Sequence, residues 1–582
     1  MTVPSLASSL SDIVSAAATS LRLTDFDPQV RRSEHADFQA DGVLAAARML
    51  RRRPRDIAAE VVEALRAYDL VAAAHVAGPG FVNLGVTDRT LLTQLAVRLA
   101  DSRLGVGTPE AGVTTVVDYS QPNIAKEMHV GHLRSTIIGD ALVRLLEHLG
   151  GTVIRRNHIG DWGTQFGMLI QYQSEQPVPA AAGDTATMSR LATLYQQARV
   201  RFDADGRFAA RARQRVVALQ GGDPATVAAW QDIVAESTRY FTDVYDRLGV
   251  RLTAADAVGE SAYNDALPGV AAELADLAVA VPSDGALCVF FDDVRGSDGA
   301  PSPLIVRKRD GGFGYAATDL AALRQRIADL HADRLLYVVD ARQALHFKMV
   351  FDTARRAGWL PPRVPAVHVA FGTVLGPDGR PFKTRAGDTV RLVDLLTEAV
   401  DRAREVVAAK NPDLTGEALR ERARQVGIGA IKYADLATSR TRDYTYDPAR
   451  MLALTGNTGV YLQYAHARIR SLLARAGDAA ARVGDAAAVD ATTTLAPAER
   501  ALILDLDAFA ETLTEVVAGY EPHRLCGYLY RLAQTFTTFY EHCPVLRAAD
   551  PVRANRLALC RLTGDTLRTG LDLLGIPAPD QL

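Results

Sequence analysis

Asp118-Tyr-Ser-Gln-Pro-Asn-Ile-Ala-Lys-Glu-Met-His-Val-Gly-His-Leu-Arg-Ser-Thr-Ile-Ile-Gly-Asp-Ala-Leu-Val-Arg-Leu-Leu-Glu-His-Leu-Gly150 decides how the rest of the chain is read. Val113 to Tyr119 is β-branched and apolar, the pattern of a buried strand. A polar loop with Pro122 and Asn123 breaks it. His129-Val130-Gly131-His132 then opens a long helix, with Leu133, Ile137, Ala141 and Leu145 at helical spacing. A helix N-terminus offers unpaired N–H groups and the positive end of a dipole, which suits phosphate. Gly131 lets a flat ring approach the backbone. His129 and His132, three apart in the first turn, are spaced to donate hydrogen bonds to phosphate oxygens and to stabilise charge growing in an α-phosphate displacement. The plain alternative is a pair of half-exposed capping histidines.

From about 111 to 395 strands alternate with helices, which predicts a parallel sheet of βαβ units. Thr152 to His158 reads as the second strand, followed by the loop Ile159-Gly160-Asp161-Trp162-Gly163. Residues 171 to 300 read as a long, mostly helical insertion. Leu304 to Arg309 and Gly312 to Ala317 resemble a hairpin around Asp310-Gly311. Asp319 to Leu330 reads as a helix, with Asp319 a candidate N-cap after Thr318. Leu335 to Val339 and Ala366 to Phe371 read as further strands, the first running into Asp340-Ala341-Arg342-Gln343, the second toward a loop holding Phe382-Lys383-Thr384-Arg385-Ala386-Gly387. In open α/β sheets ligands bind beyond the carboxyl ends of the strands. The His-Val-Gly-His turn, Gln343 and the Lys383 loop all fall there.

At 582 residues with net charge −3, the chain is too long for one core and carries no global basic field, so a nucleic-acid partner would need local patches. Its four cysteines, Cys288, Cys526, Cys543 and Cys560, form no CxxC pair, which predicts reduced core thiols and no zinc knuckle. Met1 to Leu21 lacks a basic stretch followed by an apolar core, and no run approaches a membrane span, so a cytoplasmic, membrane-free location is expected. Residues 1–110 read as a small α+β unit carrying the cationic cluster Arg51-Arg52-Arg53-Pro54-Arg55. Beyond about 396 the chain reads as helical, with 477–494 an Ala/Gly/Asp-rich exposed linker.

Four ordered motifs resemble the arginyl branch of the class I aminoacyl-tRNA synthetases. Ser120-Gln-Pro-Asn through Asp140 is similar to the family's HIGH signature with its flanks. Asp310-Gly-Gly-Phe-Gly-Tyr-Ala-Ala-Thr-Asp319-Leu-Ala321 is the second. Phe382-Lys-Thr-Arg-Ala-Gly387 looks like a bacterial arginyl form of the KMSKS loop, and Gly456-Asn-Thr-Gly-Val-Tyr-Leu-Gln-Tyr-Ala-His-Ala-Arg468 stands at the start of a helical bundle. The resemblance covers essentially the whole chain. It implies a Rossmann-type catalytic domain at 111–395 with its insertion, a small α+β N-terminal tRNA-binding domain at 1–110, a helical connecting region at 396–450 and an all-α anticodon-binding bundle at 451–582.

It also implies a reaction: arginine is activated by ATP, with Mg2+, to arginyl-adenylate and pyrophosphate, then transferred to the 3′ end of tRNA(Arg). Bound tRNA is expected to be needed for activation. His129, His132, Lys126 and Lys383 are the implied catalytic residues. ATP would also meet Gly131, Phe382, Thr384 and Arg385. Lys383 is followed by Thr384 and Arg385 where the usual loop carries a second lysine, and Lys126 is the candidate to supply that charge; its plain alternative is a surface lysine. Arginine demands acceptors in a planar fork. Asp319, Glu260, Tyr315 and Gln343 would surround the guanidinium and Asn123 would hold the α-amino group. Arg440, Arg442, Tyr444, Arg450 and Arg468 are the tRNA candidates, basic and aromatic side chains interleaved, with solvated or ion-paired surface as the alternative. His158 and Trp162 stand between an approach to the adenosine and core packing. A monomer without structural metal is expected.

Three other readings stay in view. A nucleotidylyltransferase shares strand, His-x-Gly-His and helix but lacks the long helical C-terminal half. A catalytically idle RNA-binding paralogue would not need His129, His132, Lys126 and Lys383 intact. A duplicate synthetase serving an arginine-like antibiotic carries the same motifs; Gly314 before Tyr315, where a bulkier residue is expected, is the one small departure.

Overall fold

The computed structural model describes residues 3–23, 25–176, 184–296, 299–376, 378–382, 390–482 and 489–582. The N-terminal unit has four helices, α1 (Leu6–Ser20), α2 (Val43–Leu50), α3 (Pro54–Leu65) and α4 (Asp88–Ala100), around strands β1 (Val30–Arg32), β2 (Phe38–Ala40), β3 (Val71–Ala77) and β4 (Phe81–Val86). The strands pair antiparallel in the order β1-β2-β4-β3. The cationic cluster falls in the turn from α2 to α3. Part of it is used internally: Arg52 pairs with Glu60 at 2.6 Å and Arg55 donates to the Gly78 carbonyl at 2.6 Å.

The central region runs, in chain order, β5 (Thr114–Asp118), α5 (Val130–His148), β6 (Thr152–Ile159), α6 (Thr164–Glu175), α7 (Asp184–Ala204), α8 (Gly206–Gln220), α9 (Pro224–Leu248), β7 (Ala257–Gly259), α10 (Leu267–Asp276), β8 (Val281–Ser283), β9 (Ala286–Val289), β10 (Leu304–Arg307), α11 (Tyr315–Ala328), β11 (Arg334–Tyr337), α12 (Ala344–Arg356), β12 (Ala366–His368) and β13 (Val374–Leu375). Five of these strands form one parallel sheet in the order β12-β11-β5-β6-β7. Winding reverses between β5 and β11, and that switch point opens a crevice at the carboxyl edge. Val116, Val117, Leu335 and Leu336 are buried on both faces, as a parallel sheet covered by helices requires. Helix α5 is buried over most of its length, and a Cβ on Gly139 would come within 2.3 Å of the Tyr119 ring, so glycine lets the helix lie directly on that side chain.

Two expectations change here. The stretch 171–300 is not uniformly an insertion: after helices α6 to α9 the chain returns to the main sheet as β7, three residues too short to show a period in sequence. The hairpin around Asp310-Gly311 has only one arm. β10 pairs with β9, a single bridge joins Arg307 to Phe313, and α11 starts at Tyr315 with Gly314 as its N-cap. Asp319 is therefore a second-turn residue of α11, not its cap, which frees its carboxylate to face outward.

The C-terminal part comprises α13 (Leu392–Lys410), α14 (Gly416–Leu436), β14 (Tyr444–Thr445, parallel to β13), α15 (Pro448–Met451), α16 (Gly459–Ala476), α17 (Asp478–Arg482), α18 (Pro497–Asp507), α19 (Phe509–Gly519), α20 (Pro522–His542) and α21 (Val552–Leu573). The expected linker 477–494 includes α17, and the Asn555 amide holds the Asp490 carbonyl at 3.0 Å; residues 483–488 lie outside the described residues. All four cysteines are buried and unbridged. Among the described residues no helix is long and apolar enough to cross a membrane.

The N-terminal unit is fastened to the bundle by buried charge. Arg98 of α4 donates to Asp507 of α18 at 2.5 Å with both side chains almost wholly buried, and the second oxygen of Asp507 accepts the Leu6 N–H at 2.8 Å. Arg500 adds a bond to Asp37 at 2.6 Å and another to Asp88. Removing one partner of a buried pair leaves the other charge uncompensated. Asp507→Ala is expected to destabilise this junction by about 3–5 kcal/mol, seen as a lower first melting transition and faster proteolysis between residues 1 and 110.

Candidate active site at the carboxyl edge of the sheet

His129 is the N-cap of α5. Its Nδ1 accepts the Gly131 N–H at 3.0 Å, and His132 Nδ1 accepts the His129 N–H at 3.1 Å, with the two rings 4.0 Å apart. A backbone N–H can only donate, so each neutral ring carries its proton on Nε2. Burial holds both rings below the ordinary histidine range, helped at His129 by Arg342 and Lys126; His132 is pushed down to about 3. The pair therefore presents two neutral Nε2–H donors at working pH, fixed by the bonds on their far sides. A Cβ on Gly131 would sit 2.8 Å from the His129 ring. Glycine there serves the histidine as well as any incoming ring. The capping alternative and the donor reading are thus the same geometry seen from two nitrogens.

The loop before α5 places Asn123 in a parallel bridge with Gly160, beyond the end of β6. Lys126 lies with its Nζ 5.1 Å from the centre of the Tyr195 ring on α7. Downstream of Lys383, the Val390 carbonyl accepts the Val130 N–H at 3.2 Å and Leu392 donates to Met128 at 2.9 Å, so this chain segment pairs with the histidine turn itself. Phe382 closes a short hairpin, its N–H bonded to Val374 at 3.0 Å and its ring 5.1 Å from Tyr446. Lys383, Thr384, Arg385 and Gly387 lie outside the described residues.

Carboxylates gather on the other side. Glu260 follows β7 directly. Its carboxyl is pushed up to about 8 by burial, by Asp319 and by Asp161. Asp161 accepts both the N–H and the hydroxyl of Ser261, at 2.9 and 2.6 Å, and burial raises it too. Asp319 bonds His346 Nε2 at 2.6 Å. Glu260 and Tyr315, 73% exposed, line a cavity of about 1700 Å³ with Trp162, Tyr195, Trp230 and Thr318. Trp162 stands edge-on to Trp230 in that wall, while His158 stacks on Tyr263 at 5.7 Å, a packing role. Gln343 ends a 3₁₀ turn after β11 and is exposed. Sequence reasoning overlooked His346, although Gln343-x-x-His346 at a helix start was legible, and Asp161, which had only its loop position to mark it.

Of the tRNA candidates, two are built into the protein. Arg440 donates to the Ala370 and Tyr520 carbonyls at 2.8 and 3.0 Å, and Tyr444 is buried under Arg134, whose guanidinium lies 5.2 Å from its ring. Tyr444 is thereby kept off an RNA-facing surface, while Arg440 is half-buried. Arg442 and Arg450 are exposed, and Arg468 lies over the Tyr540 ring at 4.1 Å. Among the described residues no group of three or more His, Cys, Asp or Glu side chains is placed to hold a metal.

A parallel sheet with a His-x-Gly-His helix start at its switch point is the architecture of class I tRNA synthetases, and the family model described as "tRNA synthetases class I (R), catalytic domain" matches residues 95–448. "Arginyl tRNA synthetase N terminal domain" matches residues 5–86 and "DALR anticodon binding domain" residues 462–582. The chain belongs to the arginyl-tRNA synthetase family. It is 60% identical to the arginine–tRNA ligase of Frankia casuarinae over 96% of this chain and 95% of that one, and 54% identical to that of Streptomyces coelicolor over 100% of both. The arginyl-tRNA synthetase structure from Plasmodium falciparum superposes with a TM-score of 0.83 at 26% identity over 100% of both chains; the Thermus thermophilus one gives 0.79 at 26% identity, over 99% of this chain and 100% of that one.

Proposed function

We propose that the chain is an arginine–tRNA ligase working through the residues described above. An oxygen of the arginine carboxylate attacks the ATP α-phosphorus, the bond to the β-phosphate breaks, and pyrophosphate leaves. A ribose hydroxyl of the 3′-terminal adenosine then attacks the arginyl carbonyl and AMP leaves. His129 and His132 donate from Nε2 to the phosphates, with Gly131 beneath the adenine. Lys126 and Lys383 supply positive charge, beside Phe382, Thr384 and Arg385. Mg2+ comes in with ATP, bound by its phosphates. Asn123 takes the α-amino group, and Glu260 and Asp319 take the guanidinium, flanked by Tyr315 and Gln343. Positioning and charge stabilisation then account for the catalysis.

The observation that carries this reading is Glu260. A carboxyl raised to about 8 by burial and by two neighbouring carboxylates marks a pocket short of positive charge, which a guanidinium supplies. The pH dependence follows with a definite sign. Arginine pairs with the ionised carboxylate, so below about 8 a proton must leave Glu260 on binding. The KM for arginine is expected to fall as pH rises from 6.5 toward 8, by up to roughly tenfold per unit, and to level off above. Glu260→Gln should flatten the profile. A wild-type KM independent of pH would remove Glu260 from the pocket.

For tRNA, the exposed Arg442 and Arg450, together with Arg468 beside Tyr540, are the contacts, with the N-terminal unit at the outer corner of the molecule. Activation needs bound tRNA, and the enzyme works as a monomer in the cytoplasm. Arginine-dependent ATP–pyrophosphate exchange, with and without tRNA and against a panel of amino acids, tests the whole reading. Exchange with arginine alone, and only with tRNA present, is expected. RNA binding without exchange under any condition would favour the idle paralogue.

A further inference from the structure

The loop between β5 and α5 is held in a conformation that ordinary side chains avoid. Ser120, Gln121 and Ala125 have φ of +76°, +53° and +59°, left-handed values that cost energy for any residue with a Cβ. Such strain persists where the surroundings over-determine it. Here much of the restraint comes from α9. Ser237, fully buried, accepts the Ala125 N–H at 3.1 Å while its own proton goes to the Ile233 carbonyl at 2.9 Å. Tyr240, one turn on, meets the Met128 backbone. Tyr245, also buried, places its hydroxyl 2.8 Å from Ser120 Oγ and 2.9 Å from the Asn157 amide nitrogen, and Asn157 in turn accepts the Gln121 N–H at 2.9 Å.

Thr136 Oγ1 is 2.7 Å from the His132 carbonyl oxygen and 2.9 Å from Ser120 Oγ. Thr136 Oγ1 is the donor in both contacts, its one proton shared between the His132 carbonyl, which can only accept, and Ser120 Oγ. Between the Ser120 and Tyr245 hydroxyls either can donate, and the Asn157 amide donates to Tyr245. Ser120 N–H closes the set on Ser135 Oγ at 2.8 Å, whose proton goes to Val338 at 2.6 Å. A single ordered chain thus runs from β6 through α9 and the strained loop to the backbone of His132. We infer that Tyr245 and Ser237 are positioning residues: α9 clamps the loop in its left-handed form and so sets Asn123 and Lys126 against the two histidines. Neither residue lines the cavity. The inference rests on the reading of that site as the synthetase centre. Without the clamp the three residues relax toward negative φ and the groups they carry turn away.

The test compares full-length wild type, Tyr245→Phe, Ser120→Ala and the double variant, by exchange kinetics with tRNA, melting temperature and tRNA affinity. Each single change is expected to lower kcat roughly 10- to 100-fold with tRNA affinity and melting temperature close to wild type. The double should be no slower than the slower single, because both cut one chain. Wild-type rates in both singles, or losses that multiply, would overturn the inference. If Tyr245→Phe fails to fold, Ser237→Ala takes its place as a single variant, expected to lower kcat by the same factor and to lose protection at the Ala125 amide that it holds; a wild-type rate or unchanged protection there would overturn the clamp. Hydrogen exchange at the amides of Ser120, Gln121, Ile124 and Ala125, each bonded in the structure, reads the clamp without catalysis: protection should fall at least tenfold in Tyr245→Phe, and unchanged protection would overturn the clamp. A wild type inactive with arginine but clamped by this second measure would instead count against the proposed function.

Discussion

Asp319→Ala is expected to raise the KM for arginine by roughly 10²- to 10³-fold, equivalent to about 3–4 kcal/mol, while the KM for ATP stays within about twofold. The asymmetry comes from what each substrate loses. Arginine's guanidinium is left in a half-buried pocket without one of its two carboxylate partners, and a buried charge without its partner costs more than the lost bond alone. ATP meets the histidine turn on another loop. The change also releases His346, which bonds Asp319 at 2.6 Å, so Asp319→Asn is the informative companion. It keeps a partner for His346 and removes the charge, and should recover folding without recovering arginine affinity. Steady-state exchange with each substrate varied in turn separates the two. An unchanged arginine KM would dismantle the pocket as assigned.

At His132 the two nitrogens of one ring do different jobs, and substitution can divide them. His132→Ala loses the Nδ1 acceptor that caps α5 and the Nε2 donor that faces the phosphates. A fall in kcat for activation of roughly 10²- to 10³-fold is expected, with about 1 kcal/mol of stability lost with the cap. An asparagine side chain reaches the place of Nδ1 but not that of Nε2. His132→Asn should therefore keep the melting temperature of the wild type and still lose the same factor in rate. Because burial holds His132 near 3, its loss of function should be equal at pH 6 and pH 8. A rate deficit confined to acidic pH would mean that a charged imidazolium was needed after all.

Much of this was legible before any coordinates. The strand–loop–helix at residues 113–148, the alternation behind it and the helical C-terminal half follow from hydrophobic period and turn residues, because each element buries one face and must repeat at its own spacing. The family followed from four ordered motifs. His129 and His132 stood out at the helix start itself, whereas Glu260 and Asp319 were named only through the family resemblance. What the chain order concealed was contact across it. β7 joined the main sheet unnoticed because three residues carry no period. Asp319 looked like a cap because Thr318 preceded it, yet the helix had already started four residues earlier. Arg440 and Tyr444 looked like an RNA surface until Ala370, Tyr520 and Arg134 were seen to occupy them. The clamp from Tyr245 to Ser120 joins residues 125 apart in sequence. Local order is written in neighbours along the chain, whereas burial, the rise in the Glu260 pKa and the strain at Ser120, Gln121 and Ala125 depend on groups that only folding brings together, and no spacing rule reaches that far.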